Sequence, residues 1–344
     1  MDNFDHLLKL PGPAQYQAWV KERLETLSVR EGYALAAVLM RSSPRDAEEA
    51  VDCLNSLDHY DVCPAGSYEE LGQFYLQQLN TPEDVLPHAD LDGLGRFFED
   101  QHPGLFIGHY YVSYPKQPSL PIRQENGAPL LWDDSWSVKL KLASPAVPDG
   151  VWLRLPDYEP VNEFGLGEIN MVRRELRVDS LDECTLLETR CILPEVRDLV
   201  KQYSSIEELV GDGDSLGYVL AEKGQGEPHW LEKFAAALEY EDCRTLKFAL
   251  DISQNLHCYE WIPSEGLADF AANHLRDEGM PEELIQSGAI DLDSYANDLL
   301  ETSGYMEASG ETGYLIRNGR EFIRDYTSPA QQALSQPEQG IAMQ

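Results

Sequence analysis

The sequence predicts an α+β protein, an elongated multidomain chain of small α+β units with acidic helical surfaces. Three observations predict it. Helical periodicity dominates both ends of the chain, clean alternation occupies the middle, and the two ends resemble copies of one another. At a constant offset of 199, Ala37 falls on Ala236, Leu39 on Leu238, Ala50 on Ala249, Asp52 on Asp251, Leu57 on Leu256, Tyr60 on Tyr259, Asp61 on Glu260 and Pro64 on Pro263. After a two-residue slip, Asp90-Leu91-Asp92 matches Asp291-Leu292-Asp293.

Within each copy the elements follow one order. Residues 231 to 239 and 243 to 256 carry apolar side chains at three- and four-residue spacing, and 265 to 277 continues the pattern after the break at Pro263. Tyr259 to Ile262 reads as a short strand, and Asp291 or Asp293 as the N-cap of a further helix. Tyr314 to Arg317, and Gly108 to Tyr114 in the first copy, read as closing strands. In the middle, Ser137 to Ala143 and Val151 to Leu155 alternate, Glu188 to Leu193 is another strand candidate, and Glu168 to Arg177 is a helix or strand between them. The expected division is therefore an N-terminal acidic α+β unit over 1–115, a Pro-rich linker over 116–135, a β-rich α+β domain over 136–194, a helical domain over 195–250, an acidic α+β domain over 251–326, and a disordered polar tail over 327–344.

The 61 Asp and Glu residues against 26 Lys and Arg leave a net charge of −35, while 42% hydrophobic residues are too many for a disordered acidic chain. The charge therefore sits on folded surfaces, and it equals that of roughly 60 Å of duplex DNA. It is uneven: 19 acids and 7 bases in 1–102, 13 and 9 in 103–194, 26 and 7 in 195–312, and 3 and 3 beyond. Two strongly acidic blocks flank a nearly balanced one. Such a field repels nucleic acid and attracts basic proteins, so direct nucleic-acid binding is excluded and the partner is basic. Without an apolar run of transmembrane length or a leader, a cytoplasmic location is expected.

No motif demands catalysis. Any single carboxylate pair, Asp133-Asp134 included, reads as a solvated face. Cys53, His59 and Cys63 are close in sequence, but the second copy does not keep those positions, so buried thiols are expected and no metal. Gly211 to Gly217 reads as an acidic loop lacking both the calcium-loop pattern and the P-loop ending, and Gly165-Leu-Gly167 is no dinucleotide fingerprint. Arg173, Arg174 and Arg177 read as partners for neighbouring acids. No cofactor and no enzyme activity are implied.

Several segments carry a family likeness: Gly150-Val-Trp152, Ile192-Leu-Pro194, Gln202 to Leu209 (QYSSIEEL), Asn255 to Glu260 (NLHCYE) and Ile290 to Leu300 (IDLDSYANDLL). On these the chain resembles the ArdA antirestriction family over roughly 138–318, with 30–115 as a further copy of the C-terminal part. The resemblance implies a non-enzymatic, dimeric DNA mimic from a mobile genetic element, which occupies the DNA-binding groove of type I restriction-modification enzymes. The additional N-terminal copy and the Gly211 to Gln225 stretch depart from the family's pattern.

The acids expected to face the partner are Glu207, Glu208, Glu239, Glu241, Asp242, Asp251, Glu260, Asp269, Asp277, Glu278, Glu282, Glu283, Asp291, Asp293, Asp298 and Glu301. Tyr259, Tyr295 and Trp261 read as packing residues. Alternative partners are another nucleic-acid-binding defence enzyme, such as a CRISPR effector, or a basic protein served by an acidic adaptor or chaperone.

Overall fold

The computed structural model describes residues 4–79, 81, 88–116, 128–131, 133, 135–157, 165–224 and 226–327. Most of the expected linker 116–135, and the tail from 328 onward, lie outside the described residues. The fold is α+β, with helices and small three-stranded antiparallel sheets. The chain divides into two compact units, Met1–Ile192 and Leu193–Gln344.

The first unit begins with α1 (Ala14–Glu25), α2 (Val29–Arg41) and α3 (Ala47–Asn55). Ser28 and Asp46 cap the last two by accepting from Glu31 N and Glu49 N, because a hydroxyl or carboxylate there satisfies amides the helix cannot. A 3-10 turn then leads to β1 (Asp61–Cys63), α4 (Tyr68–Gln78), α5 (Leu91–Gln101) and the hairpin β2 (Gly104–Ile107) and β3 (Tyr110–Ser113). The sheet order is β1-β3-β2. Cys63, Leu71, Phe74, Phe98 and Tyr111 form its core. Helices α4 and α5 approach so closely that a Cβ on Gly72 would stand 2.0 Å from Leu91 O, and one on Gly95 2.0 Å from Tyr68 O.

The middle sheet belongs to this same unit. It comprises β4 (Val138–Ser144), β5 (Val147–Leu155) and β6 (Thr185–Cys191), with β4 central, and α6 (Glu168–Leu176) resolves the helix-or-strand choice as helix. Val138, Leu140, Leu142, Leu153 and Leu155 are buried on one face of the sheet, as are Met171, Val172 and Leu176 of α6, which packs on β5. The segments read from sequence as separate domains, 1–115 and 136–194, fold as one unit because both faces of this sheet are covered.

The second unit runs through α7 (Leu199–Gln202), α8 (Ile206–Gly224), α9 (Trp230–Tyr240), α10 (Leu246–Gln254), β7 (Tyr259–Pro263), α11 (Leu267–Asp277), α12 (Glu282–Ile285), α13 (Leu292–Thr302), β8 (Met306–Glu307) and β9 (Gly313–Arg317). Its sheet order is β7-β9-β8, the same arrangement as β1-β3-β2. At the offset of 199, α3 and α10, the 3-10 turns Leu57–His59 and Leu256–Cys258, and α4 and α11 coincide residue for residue. At the slipped offset of 201, α5 and α13 do so too, and Asp90 and Asp291 cap them identically. Where the first copy crosses its helices at Gly72 and Gly95, the second buries Ala271 and Ala296.

Two expectations change here. Gly211 to Gly217 is no loop but the middle of α8: Leu209, Val210, Gly213, Leu216 and Gly217 are buried along one helical face. That packing, with Ser205 Oγ accepting from Glu208 N at 3.1 Å, offsets a propensity cost of about 1 kcal/mol per glycine. The boundary expected at 250/251 falls inside α10, whose Leu246, Ala249, Leu250 and Ile252 are all buried, so 195–250 is not a domain of its own. No helix among the described residues is long and apolar enough to cross a membrane.

Candidate partner-binding surface

Helices α11 and α13 form the most acidic stretch of the chain: between Ser264 and Tyr305 stand ten acids and one basic side chain, Arg276. The pair packs through Leu267 and Ala271 on one helix and Ala296 and Leu300 on the other, with Tyr314 of β9 beneath. Side chains at that four-residue spacing face inward, which turns Asp269 and Asp277 on α11, and Asp293, Asp298 and Glu301 on α13, outward. Asp291 spends one oxygen as the cap of α13, accepting from Ser294 N at 3.1 Å.

Asp291 aside, the other fifteen expected acids separate into three groups. Asp269, Asp277, Glu278, Glu283, Asp293, Asp298 and Glu301 are exposed and form no ion pair among the described residues. A second group is held by the protein itself. Glu282 accepts from Arg276 Nε and Nη2, at 2.9 and 3.0 Å, and that hydrogen bonding lowers its carboxyl pKa. Glu239 receives Ser309 N at 3.0 Å, Glu260 receives Tyr305 Oη at 2.8 Å, and Glu241 receives Tyr259 Oη at 2.8 Å and Arg317 at 3.1 Å. Glu208 pairs with Lys247 and Asp242 with Arg244, while Glu207 is exposed at the start of α8.

The third group is one residue and a correction. Asp251 is fully buried, accepting from Tyr326 N at 2.8 Å and Thr327 N at 3.1 Å, so its carboxylate fastens the end of the described chain onto α10. It cannot meet a partner.

The equivalent face of the first copy is less free. Glu70 receives Gly66 N at 2.7 Å, Glu99 receives Tyr68 Oη at 2.7 Å, and Asp92 pairs with Arg96 at 2.8 Å. Tyr68 and Arg96 stack as well, the guanidinium 4.2 Å from the ring centroid. Glu69 and Asp100 are exposed and form no ion pair among the described residues.

The first unit instead holds a buried charge network that the sequence reading missed. Lys139 and Arg154 stand opposite one another across β4 and β5. Two facing cations repel unless anions lie between them. Glu31 and Asp133 supply these: Arg154 lies 3.4 Å from Glu31 and 3.5 Å from Asp133, Lys139 lies 3.7 Å from Asp133, and Arg23 pairs with both acids. Arg30, wholly buried, reaches Glu168 at 3.1 Å, Asp58 at 2.9 Å and the carbonyls of Leu57 and Tyr60. Asp133, expected on a solvated face, is thus largely enclosed, its side chain 15% exposed, because the polar face of the alternating strands is covered. The readable signal was Ser28-Val-Arg-Glu31, a capping box whose glutamate also enters the network.

Burial opposes ionisation of Glu31, but the Arg23 and Arg154 guanidiniums overcome it and hold the carboxyl well below the usual range. Glu168 takes the opposite course: burial raises it to about 7, with Arg30 pulling against the rise. The difference has a geometric cause, since Glu31 faces two guanidiniums and the Ser28 amide, whereas Glu168 Oε2 is buried without a hydrogen bond among the described residues. Arg23, Arg30, Lys139 and Arg154 thus stand among Glu31, Asp58, Asp133 and Glu168 in a charge network built into the packing of the first unit.

No family model, curated protein or solved structure matches the chain.

Cys63 is buried, and desolvation pushes its thiol up; no group of three or more His, Cys, Asp or Glu among the described residues is arranged to hold a metal. Of the arginine cluster, Arg174 lies over the Tyr110 ring at 5.6 Å and Arg177 takes the left-handed conformation that ends α6. Tyr259 is buried and Tyr295 packs against the α11–α13 core.

Proposed function

We propose that the protein is a non-enzymatic DNA mimic of the ArdA type, an anti-defence protein that acts in the cytoplasm by occupying the DNA-binding groove of a type I restriction-modification enzyme. The observation that carries this reading is the set of seven uncompensated carboxylates on and between α11 and α13. An eleven-residue helix is about 16 Å long, and duplex DNA over that distance presents about ten phosphates. The seven unpaired carboxylates of the Ser264–Tyr305 stretch supply about two-thirds of that number. Carboxylates fixed on helices packed through a buried core are pre-ordered, so binding a basic groove costs little conformational entropy. Long-range attraction speeds the encounter, and salt weakens it.

The partner in this reading is a basic DNA-binding protein; the chain itself does not bind nucleic acid and needs no metal or cofactor. The test is a DNA-cleavage assay with purified type I enzyme and the variant Asp277→Lys, Glu278→Lys, Glu283→Lys, Asp298→Lys. Four reversals move the net charge by +8, from −35 to −27. The wild-type chain should block cleavage and the variant should not, with both melting alike. Uninhibited cleavage at saturating wild-type protein would rule out this target.

A further inference from the structure

Helix α9 is apolar on two sides. Trp230, Phe234 and Ala237, at helical spacing, form its buried stripe. Leu231, Ala235 and Leu238 form a second stripe, and Leu231 is 48% exposed. A helix with two apolar faces ordinarily buries both. Facing the second stripe are Leu193, Val196 and Ala308, and together they bound a groove of about 680 Å³. Its rim carries Glu195 and Asp242, which share Arg244, together with Glu239, which accepts from Ser309, and Glu232, a net charge of −3 with Glu232 exposed and without an ion pair among the described residues.

We propose that this groove seats a cationic amphipathic helix of a partner protein, its aliphatic side chains in the groove and its lysines or arginines against the rim. The volume lies within the range of built binding pockets, and an aliphatic stripe beside charged edges is how a groove receives a helix. Charge selects the occupant. The chain's own C-terminal segment, 328–344, carries one acid and no base, and so offers the acidic rim nothing. The site is distinct from the α11–α13 face, and it supplies what a purely acidic surface lacks, an apolar contact that discriminates among basic partners.

The probe is a synthetic helix with leucines at i, i+3, i+4 and i+7 and lysines on the flanks, compared by calorimetry on the full chain with a scrambled peptide of the same composition. The ordered peptide should bind at least about tenfold more tightly, the worth of one buried aliphatic anchor. Ala235→Trp, which fills the groove from an exposed position, should abolish that preference without changing the melting temperature. Glu232→Lys should weaken the ordered peptide. Equal binding of both peptides, or a preference that survives Ala235→Trp, would overturn the proposal. So would a tenfold gain in peptide affinity on changing Leu334→Asp and Ile341→Asp, which would make the C-terminal segment the occupant. None of these results depends on the α11–α13 carboxylates, whose reversal tests the DNA-mimic reading separately.

Discussion

Replacing Glu31 by Gln removes one charge from the buried network while keeping the side chain's shape and its capping role, since Gln serves the capping box as well. The consequence follows from its partners. Arg23 donates to Glu31 through two nitrogens, and Arg154 lies 3.4 Å away, both cations nearly inaccessible to water. Removing one partner of a buried pair leaves a desolvated charge uncompensated, which costs about 3–5 kcal/mol. For a unit of this size that is a fall in Tm of about 6–20 °C. The assay is thermal unfolding at pH 7 followed by near-ultraviolet circular dichroism, to which Trp19, Trp136 and Trp152 of the first unit contribute. Adding Arg23→Met should return at least about 1 kcal/mol, because a matched apolar replacement relieves the orphaned cation. The pH dependence has a definite sign. A carboxyl held below its unfolded value stabilises fully above about pH 4.3, and the contribution is lost as pH falls through the depressed folded value. The wild-type advantage over Glu31→Gln should therefore be complete at pH 7 and shrink in acid. A loss under about 1 kcal/mol, or strictly additive effects with Arg23→Met, would refute this account of the network.

Glu168→Gln should behave oppositely: a carboxyl raised to about 7 stabilises most below its unfolded value and loses that contribution as pH rises through 7, so the variant should gain on wild type between pH 5 and pH 8 in urea titrations. Gly95→Val, whose Cβ would stand 2.0 Å from Tyr68 O, should cost about 3 kcal/mol through forced separation of α4 and α5, read by the midpoint of chemical denaturation. Reversing Glu69 and Asp100 in the first copy should leave inhibition of the restriction enzyme within about twofold, because most carboxylates of that face are already engaged internally.

The repeat was legible because the apolar frame that builds a helix pair over a three-stranded sheet recurs at fixed spacing, and Leu57, Tyr60 and Pro64 have counterparts doing the same work at Leu256, Tyr259 and Pro263. The exposed acids of α11 and α13 were legible for the same reason, helical period separating inward Ala296 and Leu300 from outward Asp293, Asp298 and Glu301. The network was not. Its members come from segments up to 140 residues apart, and alternation in β4 and β5 says only that Lys139 and Arg154 share the face opposite the leucines, not that this face is covered. Asp251 escaped for a similar reason, since its partners Tyr326 and Thr327 lie some 75 residues downstream. Helix α8 shows packing overriding local preference: three glycines predict a loop until Leu209, Val210 and Leu216 find something to pack against.

The central claim, that the α11–α13 carboxylates substitute for phosphates, is tested most directly by competition between the full chain and duplex DNA for a purified type I restriction-modification enzyme. Mimicry predicts that the chain displaces labelled duplex, that DNA and chain never occupy the enzyme together, and that displacement weakens steeply with rising salt and vanishes with the four reversals at Asp277, Glu278, Glu283 and Asp298. Displacement unchanged by those reversals, or a stable ternary complex of enzyme, DNA and chain, would contradict it.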